Sequence, residues 1–256
     1  MADKEKTNQL ILRVKALKAQ GVPGTELAEF VASEVHQGPE SVDKNGTPYI
    51  EHPRRVSNIV AALFSEHSEL EANAYAAAWL HDVIEDSENH FGEQVTQNDL
   101  LLMGFNPDVV TAVNLLSKDT DYVEAEYLDR IANNEIARIV KFADLADNTS
   151  PLRRSGLNEK LRDRYTRYWT RLLEEGKDDV MHGIDGYIPV SEMARIGIAL
   201  RGGADKKGYF EWKQKQYDEE GWSREAGERL WDSTVDEMER NPLKPGQYYA
   251  PISDMD

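Results

Sequence analysis

The sequence predicts an all-α fold, and three observations carry that prediction. Apolar residues recur at the helical period through most of the first 175 positions, no alternating run long enough for a sheet occurs there, and Pro, Asn and Gly stand where helices begin and end. Leu10, Val14 and Leu17 fall on one face of a first helix. A Pro-Gly-Thr start at 23–25 leads into a second, with Leu27, Phe30, Val31 and Val35 on its apolar face and His36 at its end. Pro53 opens a third that carries Val56, Ile59, Val60 and Leu63, a clean i, i+3, i+4, i+7 stripe. Residues 70–84 read as one Ala-rich helix, buried on most sides. Asn106 and Pro107 supply a cap and a first position for a helix with Val109, Val110, Val113 and Leu116. Helices over 121–133, 135–147 and 158–174 complete a body spanning 1–175. Glycines then punctuate the chain, and Tyr187–Val190 reads as a short strand or extended loop, so 176–256 is expected to be a short mixed or helical extension packed on the body. Within it, 209–218 and 223–240 have helical pattern, and 241–256 has the composition of a surface tail.

Composition narrows the chemistry. The 256 residues, 40% of them apolar, suffice for a sizeable core without metal or disulfide. No cysteine is present, which removes thiolate metal sites and fits a reducing, cytoplasmic setting. A net charge of −17 argues against nucleic-acid and anionic-membrane partners, since both demand clustered cations. One segment runs against the trend: residues 153–171 hold seven basic residues and two acidic ones, an island of +5 suited to an anion or to acidic neighbours.

The chemically expensive stretch is His81-Asp82-Val83-Ile84-Glu85-Asp86, which follows the apolar run Ala76–Leu80. A desolvated imidazole and carboxylate cost several kcal/mol (about 2 to 7 for even a neutral polar group) unless something pairs with them. His36 at a helix end and Asp144, on the apolar side of the 135–147 helix, are further candidates to converge there. Two imidazoles and two carboxylates form a nitrogen and oxygen donor set suited to manganese, iron(II) or zinc. His36 alone would read as a histidine at a helix C-terminus favoured by the macrodipole, and Asp147 competes with Asp144 for the role of ligand.

Three blocks in this order resemble the HD-domain phosphohydrolases, and within them the Rel/SpoT hydrolase domains and their stand-alone relatives. They are a histidine followed by Gly46-Thr-Pro-Tyr-Ile-Glu-His-Pro53, the hexapeptide at 81–86, and Val140-Lys-Phe-Ala-Asp-Leu-Ala-Asp-Asn148. The resemblance runs from about residue 25 to 170 and implies an HD-domain helical bundle over the 1–175 body. It implies one manganese ion held by His36, His81, Asp82 and Asp144, with Glu85 and Asp86 positioning and activating the attacking water. Glu85, three and four residues beyond the ligand pair, is expected on the same helix face. A second ion would need more histidines before Asp144, and only His90 lies in that window.

The resemblance further implies substrate contacts at Asn148, Tyr165, Lys118 and Arg162, and structural roles for Tyr49 and His52. It points to a purine nucleotide substrate and to hydrolysis of the 3′-diphosphate of (p)ppGpp or (p)ppApp, an alarmone activity of the stringent response. Two departures bear on this. Loop 37–44, basic in relatives, is here mostly neutral or acidic, and the helix before His36 carries Thr25 and Leu27 where several relatives place an arginine on the guanine base. A phosphatase of 5′-monophosphates or of the NADPH 2′-phosphate, and a non-catalytic nucleotide sensor, therefore stay open, as does the oligomeric state.

Overall fold

The computed structural model describes residues 4–38, 41–43, 46–62, 68–118, 121–149, 158–174, 205–220 and 223–240. The elements among them are all helices: α1 Glu5–Ala19, α2 Gly24–His36, α3 Glu51–Ala62, α4 Glu69–Leu80, α5 Val83–His90, α6 Gln97–Met103, α7 Pro107–Leu116, α8 Glu124–Ala132, α9 Glu135–Thr149, α10 Glu159–Glu174, α11 Lys206–Glu220 and α12 Arg224–Arg240. One isolated antiparallel bridge joins Val42 to Pro48. The all-α expectation holds. Tyr187–Val190 and the tail 241–256 lie outside the described residues, and no described helix is long and apolar enough to cross a membrane.

The chain divides into two compact units. One comprises Met1–Ser57 and Ser68–Lys141, the other Asn58–His67 and Phe142–Asp256.

At the centre of the first unit α2 packs on α4. Leu27, Ala28, Val31, Ala32 and Val35 are buried on α2, and every residue from Ala76 to Leu80 is buried on α4. Alanines let two helix backbones approach closely, and each fully buried Leu or Val adds roughly 1.5 to 3 kcal/mol. Local signals set the helix ends. Ser68 caps α4 by accepting from Glu71 N–H at 3.0 Å. Thr96 and Asp99 form a reciprocal capping box at α6. Asn106 caps α7 with Pro107 in its first turn. Glu93 reaches across 86 residues of sequence to cap α1, its carboxylate accepting from Thr7 N–H at 2.8 Å and Thr7 Oγ1 at 2.9 Å. Tyr127, fully buried on α8, donates to the Leu116 carbonyl at 2.8 Å and so closes the C-terminus of α7.

The predicted helix over 70–84 is in fact interrupted. α4 stops at Leu80, and Asp82 has φ −101° and ψ −1° before α5 begins. An α-helix needs ψ near −42°, so the ladder breaks at that residue. Asp82 makes no capping bond for α5, because its carboxylate is engaged by side chains from elsewhere. Glu85 and Asp86 therefore begin a new helix instead of continuing the old one. A second element unanticipated from periodicity is α6, only seven residues long.

In the second unit, Tyr165, Tyr168 and Leu172 form the buried stripe of α10. α11 packs on α12 through Tyr209, Phe210, Tyr217 and Trp231, with the Tyr209 and Trp231 rings 5.2 Å apart. Gly227 makes this approach possible, since a Cβ there would lie 2.8 Å from the Phe210 ring edge.

Candidate metal centre

The turn between α4 and α5 places His81 and Asp82 at the heart of the first unit. His81 is 3% exposed, and its Nδ1 lies 2.7 Å from the Ala78 carbonyl oxygen. A carbonyl only accepts, so Nδ1 carries the proton and the Nε2 lone pair points the other way. That Nε2 meets two more donors: His52 Nε2 at 3.2 Å and Asp82 Oδ2 at 3.0 Å, with His52 Nε2 to Asp82 Oδ2 at 3.5 Å. Ligand atoms held about 2.1 Å from a shared ion at right angles stand about 3 Å apart, so these spacings suit a divalent cation. Tyr49 completes the group by donating to Asp82 Oδ2 at 2.6 Å.

His36 joins from the end of α2. It is 1% exposed, its ring lies 5.0 Å from that of Tyr49, and burial holds its imidazole down to about 3, against the pull of Asp82. It is therefore neutral at pH 7, the form that binds metals. Its Nδ1 faces His90 Nδ1 at 2.8 Å, and its Nε2 is buried with no hydrogen-bond partner among the described residues. Orphaned buried polar atoms of this kind are rare, and a lone pair aimed at a cation accounts for one.

Glu85 and Asp86 occupy the first turn of α5, a position where the helix dipole favours anions. Glu85 is exposed, and its Oε2 accepts from Lys118 N–H at 3.1 Å and lies 3.4 Å from Lys118 Nζ. Asp86 is less accessible. Burial pushes its carboxyl up to about 7; the Asp82 charge adds to the rise, the Tyr49 hydroxyl opposes it, and Glu85 adds again. A carboxyl that exchanges its proton near neutrality is matched to acid-base work.

The other predicted residues lie in the second unit. Asp144 is buried on α9, with Oδ1 accepting from the Asn148 side-chain amide; Asp147 is buried as well. Tyr165 is buried on α10, where the Arg162 side chain lies outside the described residues, as do Arg153 and Arg154 of the basic island. In loop 37–44 residues 39, 40 and 44 are likewise outside; Asp43 is spent on the loop itself, accepting from Thr47 N–H at 3.0 Å.

Sequence reasoning gave Tyr49 and His52 structural parts, whereas the structure sets both within hydrogen-bonding range of His81 or Asp82. The block Pro48-Tyr49-Ile50-Glu51-His52 was the available signal: Tyr49 lies in the turn just before α3 and His52 in its first turn, tied together by the His52 N–H to Tyr49 carbonyl bond at 2.9 Å.

Residues 49–151 match the HD domain. A zebrafish (Danio rerio) protein named guanosine-3′,5′-bis(diphosphate) 3′-pyrophosphohydrolase MESH1 is 28% identical over 123 residues, which cover 48% of this chain and 66% of that one. The chain thus spans just under two thirds of that relative's length.

Proposed function

We propose that the protein, whose residues 49–151 match the HD domain, is a divalent-metal phosphohydrolase that removes the 3′-diphosphate of a purine nucleotide such as (p)ppGpp or (p)ppApp. The observation carrying this reading is the cluster of His81 Nε2 and His52 Nε2, both buried, with the half-buried Asp82 Oδ2, all within 3.5 Å of one another, beside a carboxyl that titrates near neutrality. The likeness to the zebrafish pyrophosphohydrolase supports this substrate class.

In this reading His36, through Nε2, His81, Asp82 and Asp144 hold one manganese ion, with His52 at ligand distance from His81. Bound there, the ion supplies Lewis acidity toward the phosphoryl oxygens and offsets the negative charge of the transition state. Asp86 takes a proton from the attacking water as its oxygen bonds to the phosphorus on the 3′ oxygen. The bond from that phosphorus to the 3′ oxygen breaks, pyrophosphate leaves, and Asp86 passes the proton it took to the 3′ oxygen, which regenerates the carboxylate. Glu85 orients the water and Lys118 steadies Glu85. Asn148 contacts the sugar region, and Tyr165, Lys118 and Arg162 hold the remaining substrate. The 1–175 body acts as the hydrolase domain and 176–256 as its extension.

The paucity of cations in loop 37–44 favours a second reading, a phosphatase of 5′-monophosphates or of the NADPH 2′-phosphate. Manganese-loaded protein incubated with a panel of 3′-diphosphorylated, 5′-monophosphorylated and 2′-phosphorylated nucleotides separates the two. Pyrophosphate from the 3′-diphosphates is the expected product; orthophosphate from a monophosphate assigns the second reading, and binding without turnover makes the pocket a sensor.

A further inference from the structure

Among the described residues, the reaction outlined above leaves one imidazole, that of His90, unused. His90, the last residue of α5, faces His36 with the two Nδ1 atoms 2.8 Å apart, and its ring packs against Tyr49 with centroids 4.6 Å apart. The contact is built from both sides. Gly38, two residues beyond His36, sits so close that a Cβ there would lie 2.8 Å from the His90 carbonyl oxygen, so only glycine lets the end of α5 dock on the turn after α2.

Tautomers decide what this contact does. One of the two facing Nδ1 atoms must carry the proton and the other must accept it. If His90 were the donor, His36 would hold its proton on Nε2, a buried N–H with no acceptor among the described residues and no capacity for metal. If His36 is the donor, its Nε2 keeps the lone pair, and a cation satisfies the orphaned atom. The second arrangement alone leaves nothing buried unpaired once an ion is present. His81 has the same logic, its Nδ1 tied to the Ala78 carbonyl. His90 thus does for His36 what a backbone carbonyl does for His81, and its ring also backs Tyr49, the hydrogen-bond donor to Asp82.

We propose that His90 is a positioning residue which accepts the His36 Nδ1 proton, fixes the tautomer that presents His36 Nε2 to the metal, and braces Asp82 through Tyr49. The inference rests on the reading of His36 as a ligand. Partners of this type, hydrogen-bonded behind a ligand, alter metal affinity by roughly 10- to 100-fold when removed.

The test is a manganese titration of metal-free protein, followed by calorimetry and by the Mn2+ electron paramagnetic resonance signal, with nitrogen NMR of the imidazoles. Wild type is expected to bind one ion and to show His36 as the Nδ1–H tautomer before metal is added. His90→Phe keeps the ring but not the acceptor, and its affinity should fall about 10- to 100-fold. His90→Asn restores an acceptor and should recover most of the loss, which a packing role alone would not produce. Affinity of His90→Phe equal to wild type, or His36 found as the Nε2–H tautomer in wild type, overturns the inference and leaves the metal reading intact. Two ions in wild type, one of them lost in His90→Phe, overturns it too, because His90 is then itself a ligand. No manganese binding by wild type removes the metal reading itself, and the inference with it.

Discussion

Asp86 gives the sharpest test of the electrostatics around the hexapeptide. Its carboxyl is raised from 3.8 to about 7, first by burial and next by the Asp82 charge. The shift is upward, so the folded state holds the proton more tightly than the unfolded chain. Stability from this group is complete below about pH 3.8, is lost progressively as pH rises, and is gone above about 7. At about 1.4 kcal/mol per unit the full loss is about 4 kcal/mol, trimmed to about 2 to 4 by the part of the side chain that still meets water. Asp86→Asn cannot ionise and still offers Tyr49 an acceptor. Urea melts of metal-free protein at half-unit intervals from pH 4 to 8.5 should therefore show the variant equal to wild type at the acid end. Its advantage should grow to about 2 to 4 kcal/mol by pH 7.5 and then level off. Manganese should shrink the difference, since a nearby cation favours the ionised carboxylate that only the wild type has. A difference that stays flat across the range, or a variant less stable than wild type at pH 8, refutes the reasoning.

Two smaller changes test other parts of the first unit. Thr96→Ala deletes one half of the α6 capping box and should cost about 0.5 to 2 kcal/mol in denaturant melts with no change in metal affinity. Tyr49→Phe removes the 2.6 Å hydrogen bond to Asp82 Oδ2 and should weaken manganese binding by about tenfold in the same titration while leaving the fold intact, as read by circular dichroism.

The fold was legible where local chemistry decides it. The apolar stripe of α2 and the Asn106-Pro107 start of α7 could be read directly, because a 3.6-residue period and a cap are properties of neighbouring residues. The break at Asp82 was not legible. Its cause is a carboxylate pulled toward Tyr49, His52 and His81, and nothing between Ala76 and Asp86 announces partners that come from α3 or from the preceding loop. The same holds at the site. His81 and Asp82 stood out because an imidazole and a carboxylate after an apolar run demand partners, whereas His90 sits among polar residues at a helix end and acquires meaning only when α5 docks against Gly38. α6 was missed for another reason: seven residues are too few to show a period, although Thr96 and Asp99 carried a cap signal.

The turn at His81 and Asp82 also fixes what kinds of genetic change this segment can absorb. α5 starts immediately after the pair, so Glu85 and Asp86 take their bearing from Asp82 through a single turn of helix, with Asp86 N–H bonded to the Asp82 carbonyl at 2.9 Å. One inserted or deleted residue between them would swing both acids by about 100° about the helix axis. Substitution of Val83 or Ile84 by another apolar residue of similar size leaves that bearing alone. Between Asp82 and Glu85, length matters more than the identity of the two apolar residues, and on the proposed reading a library that varies the spacing should lose every active member while one that varies Val83 and Ile84 keeps many.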